Sequence, residues 1–138
     1  MAKFENKLVA VMNKSIEPGT IFNALGHMCM GFGAHIGLEK MRLTDYKNAD
    51  GGSHPYISEM PFIILRANSN KIRGLRHQSI EKGIEFVDYS DTMIIGTYED
   101  QLKRSAETKE EDLTYFGIVL FGPWDEVSEM TKKFSLWK

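Results

Sequence analysis

The sequence predicts an α/β domain built on a mixed sheet, and three observations carry that prediction. Short, continuous apolar runs at residues 8–12, 62–65 and 115–121 have the pattern of strands buried on both faces. Helical stretches between such runs make two strand–helix–strand crossovers, which imply right-handed connections. Hydrophobic content of 42% and charged content of 26% over 138 residues are ordinary for one globular domain, here taken as residues 1–138.

The first run, LVAVM, is bounded by polar residues and leads through Asn13-Lys14-Ser15 to Glu17-Pro18-Gly19, which reads as a turn. Thr20 is the expected N-cap of a helix over 21–35. That helix carries few charges. Ile21, Phe22, Ala24, Leu25, Met28, Cys29, Met30 and Phe32 cover most of its circumference, so it should be buried on nearly every side. Gly26, Gly31 and Gly33 lower helix propensity and point to close approach of a ligand or another backbone, packing on the sheet or on a dimer partner being the simpler reading.

Residues 37–60 read as irregular, with a turn at Asp50-Gly51-Gly52-Ser53 and a break at His54-Pro55. After the strand FIIL, Asn68 or Ser69 can cap a helix over 71–82 that Gly83 ends. Residues 85–87 form a short strand with Asp88 to Asp91 as its polar exit, and an extended apolar run resumes over 92–97. Residues 98–113 are charge-dense, with Glu99, Lys103, Glu107 and Glu111 at i,i+4 spacing, and predict a solvated helix. The strand 115–121, a short helix over 124–132 and the tail Phe134-Ser135-Leu136-Trp137 complete the chain.

The bulk numbers exclude several classes. A formal charge of −2 exerts no overall pull toward nucleic acid or anionic membrane. The single cysteine, Cys29, rules out an intrachain disulfide and suits a reducing compartment. No signal peptide is visible, and no apolar run approaches the ~18 residues of a membrane span, so the expectation is a cytoplasmic protein with no membrane partner. There is no phosphate-binding P-loop, no Gly-x-Gly-x-x-Gly, no Gly-x-Ser-x-Gly elbow, no His-Glu-x-x-His and no Cys-x-x-Cys. The four histidines are widely spaced, so neither a metal nor another cofactor is expected. Cys29 and His27 lie two apart on a helix and point to different faces, so they do not form an activated pair; Cys29 reads as a small core residue.

What remains gathers at one sheet edge. Asp88 leaves a strand and Thr92 follows four residues later, a spacing at which a carboxylate and a hydroxyl can converge on a water or a neighbouring group. Asn13 and Lys14 leave the first strand, while Thr20 and Asn23 occupy the first turn of the helix. If the strands run parallel, all of these share an edge, where helix N-termini and strand ends favour anions. The plainer reading makes Asp88 a turn cap and Thr92 an ordinary strand residue.

Nearly the whole chain resembles a known family. The opening strand–turn–helix, FIILRA, the Asp-x-x-x-Thr of DYSDT, the strand ending FGP and the tail TKKFSLW resemble the domain of unknown function 2000 family. That family is itself similar to the type-2 peptidyl-tRNA hydrolases, which cleave the ester between a stalled peptide and tRNA. The resemblance implies a three-layer α/β sandwich with a four-stranded mixed sheet, peptidyl-tRNA hydrolase type-2-like, and often a homodimer. The hydrolases' Asp-x-x-x-Thr falls on Asp88 and Thr92. Their helical AAQCSH matches FNALGH here, which puts His27 on the family histidine once one upstream residue is deleted. The family's lysine and glutamine then fall on Thr20 and Ala24, or on Phe22 and Gly26 without the gap, so both are lost. The lost lysine is a cation for phosphate or oxyanion, which neither Thr nor Phe replaces. The chain also adds the loop around Asp50 and the charged segment 99–111.

Three functional readings follow. The first is a pocket for a small or anionic ligand, binding or hydrolytic, with Asp88, Thr92 and His27 as chemical groups and Asn13, Lys14, Thr20 and Asn23 as ligand contacts. The second is a true peptidyl-tRNA hydrolase with a relocated cation, Lys14 being the nearest, and an RNA face at Lys71, Arg73, Arg76 and His77; the net acidic charge disfavours tRNA as partner. The third is a non-catalytic dimeric module that docks through the Met-rich first helix.

Overall fold

A computed structural model describes residues 4–138. Its centre is β1 (Asn6–Asn13), whose apolar side chains alternate between two cores. Leu8, Ala10 and Met12 face one side, and Val9 and Val11 the other. The helix α1 (Pro18–Ile36) covers the first side, burying Ile21, Ala24, Met28 and Phe32. Next comes a separate hairpin, β2 (Leu43–Lys47) with β3 (Ser53–Ser58). The chain then returns to the sheet as β4 (Phe62–Ala67), which pairs parallel to β1. The helix α2 (Ser69–Lys82) packs Ile72 and Leu75 on the second side, and β5 (Glu85–Ser90) follows. The short α3 (Tyr98–Glu107) precedes β6 (Tyr115–Pro123), the helix α4 (Trp124–Thr131) and a two-residue edge strand β7 (Ser135–Leu136).

The sheet order is β5-β6-β1-β4-β7. β6 is antiparallel to both β1 and β5, so β5 runs in the same direction as β1 and β4. The C-terminal ends of three strands therefore share one edge. The layers are α1, sheet, and α2 with α4.

Several expectations are corrected here. The sheet has five strands and not four, because Ser135 and Leu136 pair with Arg66 and Leu65; two residues are too short to leave a hydrophobic pattern. The segment 37–60 holds a hairpin, whose side chains are mostly exposed and so lack the alternation that marks a half-buried strand. The first helix begins at Pro18, with Glu17 as its N-cap, and not after Thr20. Proline at N1 is pre-organised for the helix, so the apparent turn Glu17-Pro18-Gly19 is its first turn. Nor is α1 buried all round: Phe22 is 68% and Met30 72% exposed. Added Cβ atoms at Gly26, Gly31 and Gly33 would meet nothing, so these glycines do not serve packing within the chain.

Residues 92–97 are not extended. A 3-10 turn at Asp91–Met93 leads into α3, which a Thr97–Asp100 capping box starts. The charge-dense helix ends at Glu107, and a second 3-10 turn, Glu110–Asp112, follows. The predicted end of α2 holds: Gly83 takes φ +67°, which closes the helix without Cβ strain.

Candidate functional site

The shared edge is real, but Asp88, His27 and Thr92 do not converge there. Asp88 lies within β5 on the α2 side of the sheet, where its Oδ2 accepts from Arg76 Nε at 2.9 Å. His27 lies on the α1 side, exposed and stacked on Tyr89 at 6.0 Å between ring centroids. The sheet separates the two. Strand alternation is the cause: β5 continues to Ser90, so Asp88 and Tyr89 point to opposite faces. Thr92 is buried in a hydroxyl chain, accepting from Ser105 Oγ at 2.7 Å and sharing a 3.0 Å bond with Ser90 Oγ. Its carbonyl accepts from Arg104, so it anchors α3.

Asn13 is equally committed. Its Nδ2 donates to the Tyr115 carbonyl at 2.8 Å, and its Oδ1 accepts from the Ser15 N–H at 2.9 Å. Thr20 and Asn23 sit in the first turns of α1, half-buried and exposed respectively. Cys29 is half-buried, and that burial pushes its thiol pKa up, which disfavours a thiolate.

Lys14 has a different setting. Its N–H donates to the Ala67 carbonyl at 3.0 Å, pinning the exit of β1 to the end of β4. The helices that follow these two parallel strands leave to opposite faces of the sheet. That is a topological switch point, the place where open α/β sheets leave a crevice for ligands. A cavity of about 180 Å³ lies there, lined by Lys14, Arg66, Lys71, Lys133, Asn68 and Ser135 among others. Its lining contains no carboxylate, and none of its four cations belongs to an ion pair among the described residues. Asn68 caps α2 by accepting from the Lys71 N–H at 2.9 Å, so the positive end of a 14-residue helix adds to the same field. Arg66, Lys71 and Lys133 were absent from the predicted ligand contacts. Their signal was weak: Arg66 stands alone in its strand, Lys71 belongs to the basic run of α2 and Lys133 follows Lys132, and only topology brings the segments together.

The family described as a protein of unknown function, DUF2000, matches residues 6–138. The chain belongs to the DUF2000 family. Among curated proteins none matches. A protein of unknown function from Agrobacterium tumefaciens strain C58 has the same fold at a TM-score of 0.84. The match covers 99% of this chain and 100% of that one, at 17% identity.

Elsewhere in this DUF2000 protein, most of the basic group at Lys71, Arg73, Arg76 and His77 meets acidic partners. Of the basic group on α2, Arg76 pairs with Asp88 at 2.9 Å, while Arg73 and His77 both approach Glu110 at 3.4 Å. Lys71, the fourth of that group, has no ion-pair partner among the described residues, and it lines the cavity. The Tyr115 hydroxyl donates to Glu110 Oε2 at 2.7 Å. Burial and that carboxylate push the Tyr115 pKa up, so the phenol remains a donor. Glu110 is held below the ordinary glutamate range, chiefly by the Tyr115 hydroxyl and then by His77 and Arg73.

A depressed carboxylate pKa contributes stability above its unfolded value and loses it as pH falls through the folded one. Glu110→Gln should therefore flatten the acid limb of an unfolding-versus-pH curve below the ordinary glutamate range. An unchanged limb would exclude this role. Asp88→Ala should cost about 1–3 kcal/mol in urea unfolding, because it strands a half-buried Arg76, and should leave anion binding at the cavity intact.

Among the described residues, no group of three or more His, Cys, Asp or Glu is placed to hold a metal ion, and no helix is long and apolar enough to cross a membrane. The cavity offers cations, one amide and one serine hydroxyl. These are hydrogen-bond donors of the kind that an anion's oxygens accept from.

Proposed function

We propose that this protein binds a small anionic ligand, a phosphate- or carboxylate-bearing molecule, at the switch point between β1 and β4. One observation carries the reading: four cations from four separate segments line one cavity without an acid among them. Gathering like charges costs electrostatic energy, which an anion in their midst offsets. Lys14 keeps its expected role as a ligand contact, joined by Arg66, Lys71 and Lys133. The test is calorimetric titration of the full chain with inorganic phosphate at low and raised NaCl. Saturable binding that weakens with salt is expected. No heat at low salt, or binding indifferent to salt, overturns the proposal.

The tRNA-hydrolase reading draws less support, since three of the four basic groups assigned to an RNA face are paired with Glu110 and Asp88. Self-association has an observation of its own. Phe22 stands 68% exposed on α1, one turn before Gly26, at which an added Cβ would meet nothing in the chain, a surface that fits a second copy. Sedimentation should then show a dimer that Phe22→Glu dissociates.

A further inference from the structure

A second cavity lies at the opposite edge of the sheet, between the C-terminal half of α1, the starts of β1 and β4, and the β2–β3 hairpin. It measures about 450 Å³, within the range of small-molecule sites. Cys29, Phe32, Leu38, Met41 and Phe62 contribute to its walls, and no charged side chain lines it. Its one serine is spent: Ser58 Oγ donates to the Met41 carbonyl and accepts from the Met60 N–H. What the lining complements is therefore an uncharged, mainly apolar body.

Tyr56, at the mouth, is the unusual residue. The hairpin register pairs Thr44 with Ile57 and Asp45 with Pro55, so Tyr56 is the extra residue of a β-bulge. It takes φ +65°, a left-handed conformation that costs a bulky L-residue conformational energy and that glycine would adopt freely. Bulges re-aim side chains, and this one turns an aromatic ring to the cavity wall instead of into the chain's core. The ring is 77% exposed, and its hydroxyl has no hydrogen-bond partner among the described residues. Local stability is thus given up to hold an aromatic side chain over an apolar opening, an arrangement that recurs at ligand clamps.

We infer that this cavity is a binding site for a small uncharged molecule with an aromatic or hydrocarbon body, and that Tyr56 closes over it. The site is independent of the basic cavity and of any phosphate binding there. The volume favours a small molecule over a macromolecular surface, and the uncharged lining selects against a charged ligand. The Tyr56 hydroxyl remains for a polar tip on the ligand.

The test follows amide shifts of the full-length, isotope-labelled protein during titration with 2-naphthol, a rigid probe, and 1-decanol, a flexible one. Shifts should cluster on the C-terminal half of α1 and on the hairpin. Tyr56→Gly should weaken binding by about tenfold without lowering the thermal midpoint, since it removes the clamp and the strain together. Gly33→Leu is the second variant, because a Cβ there enters open space at the cavity wall. It should abolish binding while improving helix propensity. The proposal is overturned if neither probe shifts these amides. It is equally overturned if Tyr56→Gly binds as tightly as the parent. A dimer that Leu38→Glu dissociates would assign the cavity to a second copy instead.

Discussion

Reversing the charges of Lys71 and Lys133 together should abolish phosphate binding to this protein. The four cations of the cavity become two cations and two anions, so the lining changes from strongly positive to neutral. Each lost charge-assisted hydrogen bond removes about 1.5 kcal/mol or more, roughly tenfold in affinity, and each new carboxylate adds repulsion. Neither lysine is buried or ion-paired, so the fold should tolerate both changes. Single Lys→Gln changes at these positions should each weaken binding by about tenfold and reduce its salt dependence. Retained affinity in the double variant, measured by calorimetry at low salt, would remove the cavity from consideration.

Replacing Asn13 with alanine should have the largest effect on stability, about 3 kcal/mol. Asn13 is 3% exposed, and its amide satisfies the Tyr115 carbonyl and the Ser15 N–H at once. Removing it strands two polar groups at the junction of β1 and β6, at about 1–3 kcal/mol for each unsatisfied group. Asn13→Asp should be no better, because a carboxylate keeps the acceptor for Ser15 but sets an oxygen against the Tyr115 carbonyl. Urea unfolding measures both. A loss below about 1 kcal/mol for Asn13→Ala would mean that water replaces the amide without penalty.

The central strands were legible because β1 and β6 are buried on both faces and, like the start of β4, appear as apolar runs. The end of α2 was legible because Gly83 answers a local backbone requirement. The hairpin was not, since β2 and β3 are mostly exposed and carry no apolar alternation. Asp88 and Thr92 were visible as a pair in the chain, yet three more residues of strand after Val87 turn Asp88 to the α2 face and bury Thr92 under α3. For as long as a strand continues, its two-residue alternation fixes which face each side chain serves.

The amino-acid sequence by itself determined the α/β class, the central strands and the family, because these rest on local hydrophobic pattern and on motifs in order. Only the tertiary structure decided which polar groups meet. Lys14, Arg66, Lys71 and Lys133 lie on four segments, and their convergence depends on parallel pairing of β1 with β4 and on helices leaving to opposite faces. The same folding places the sheet between His27 and Asp88. A polar site is a property of through-space proximity, and spacing along the chain does not encode it.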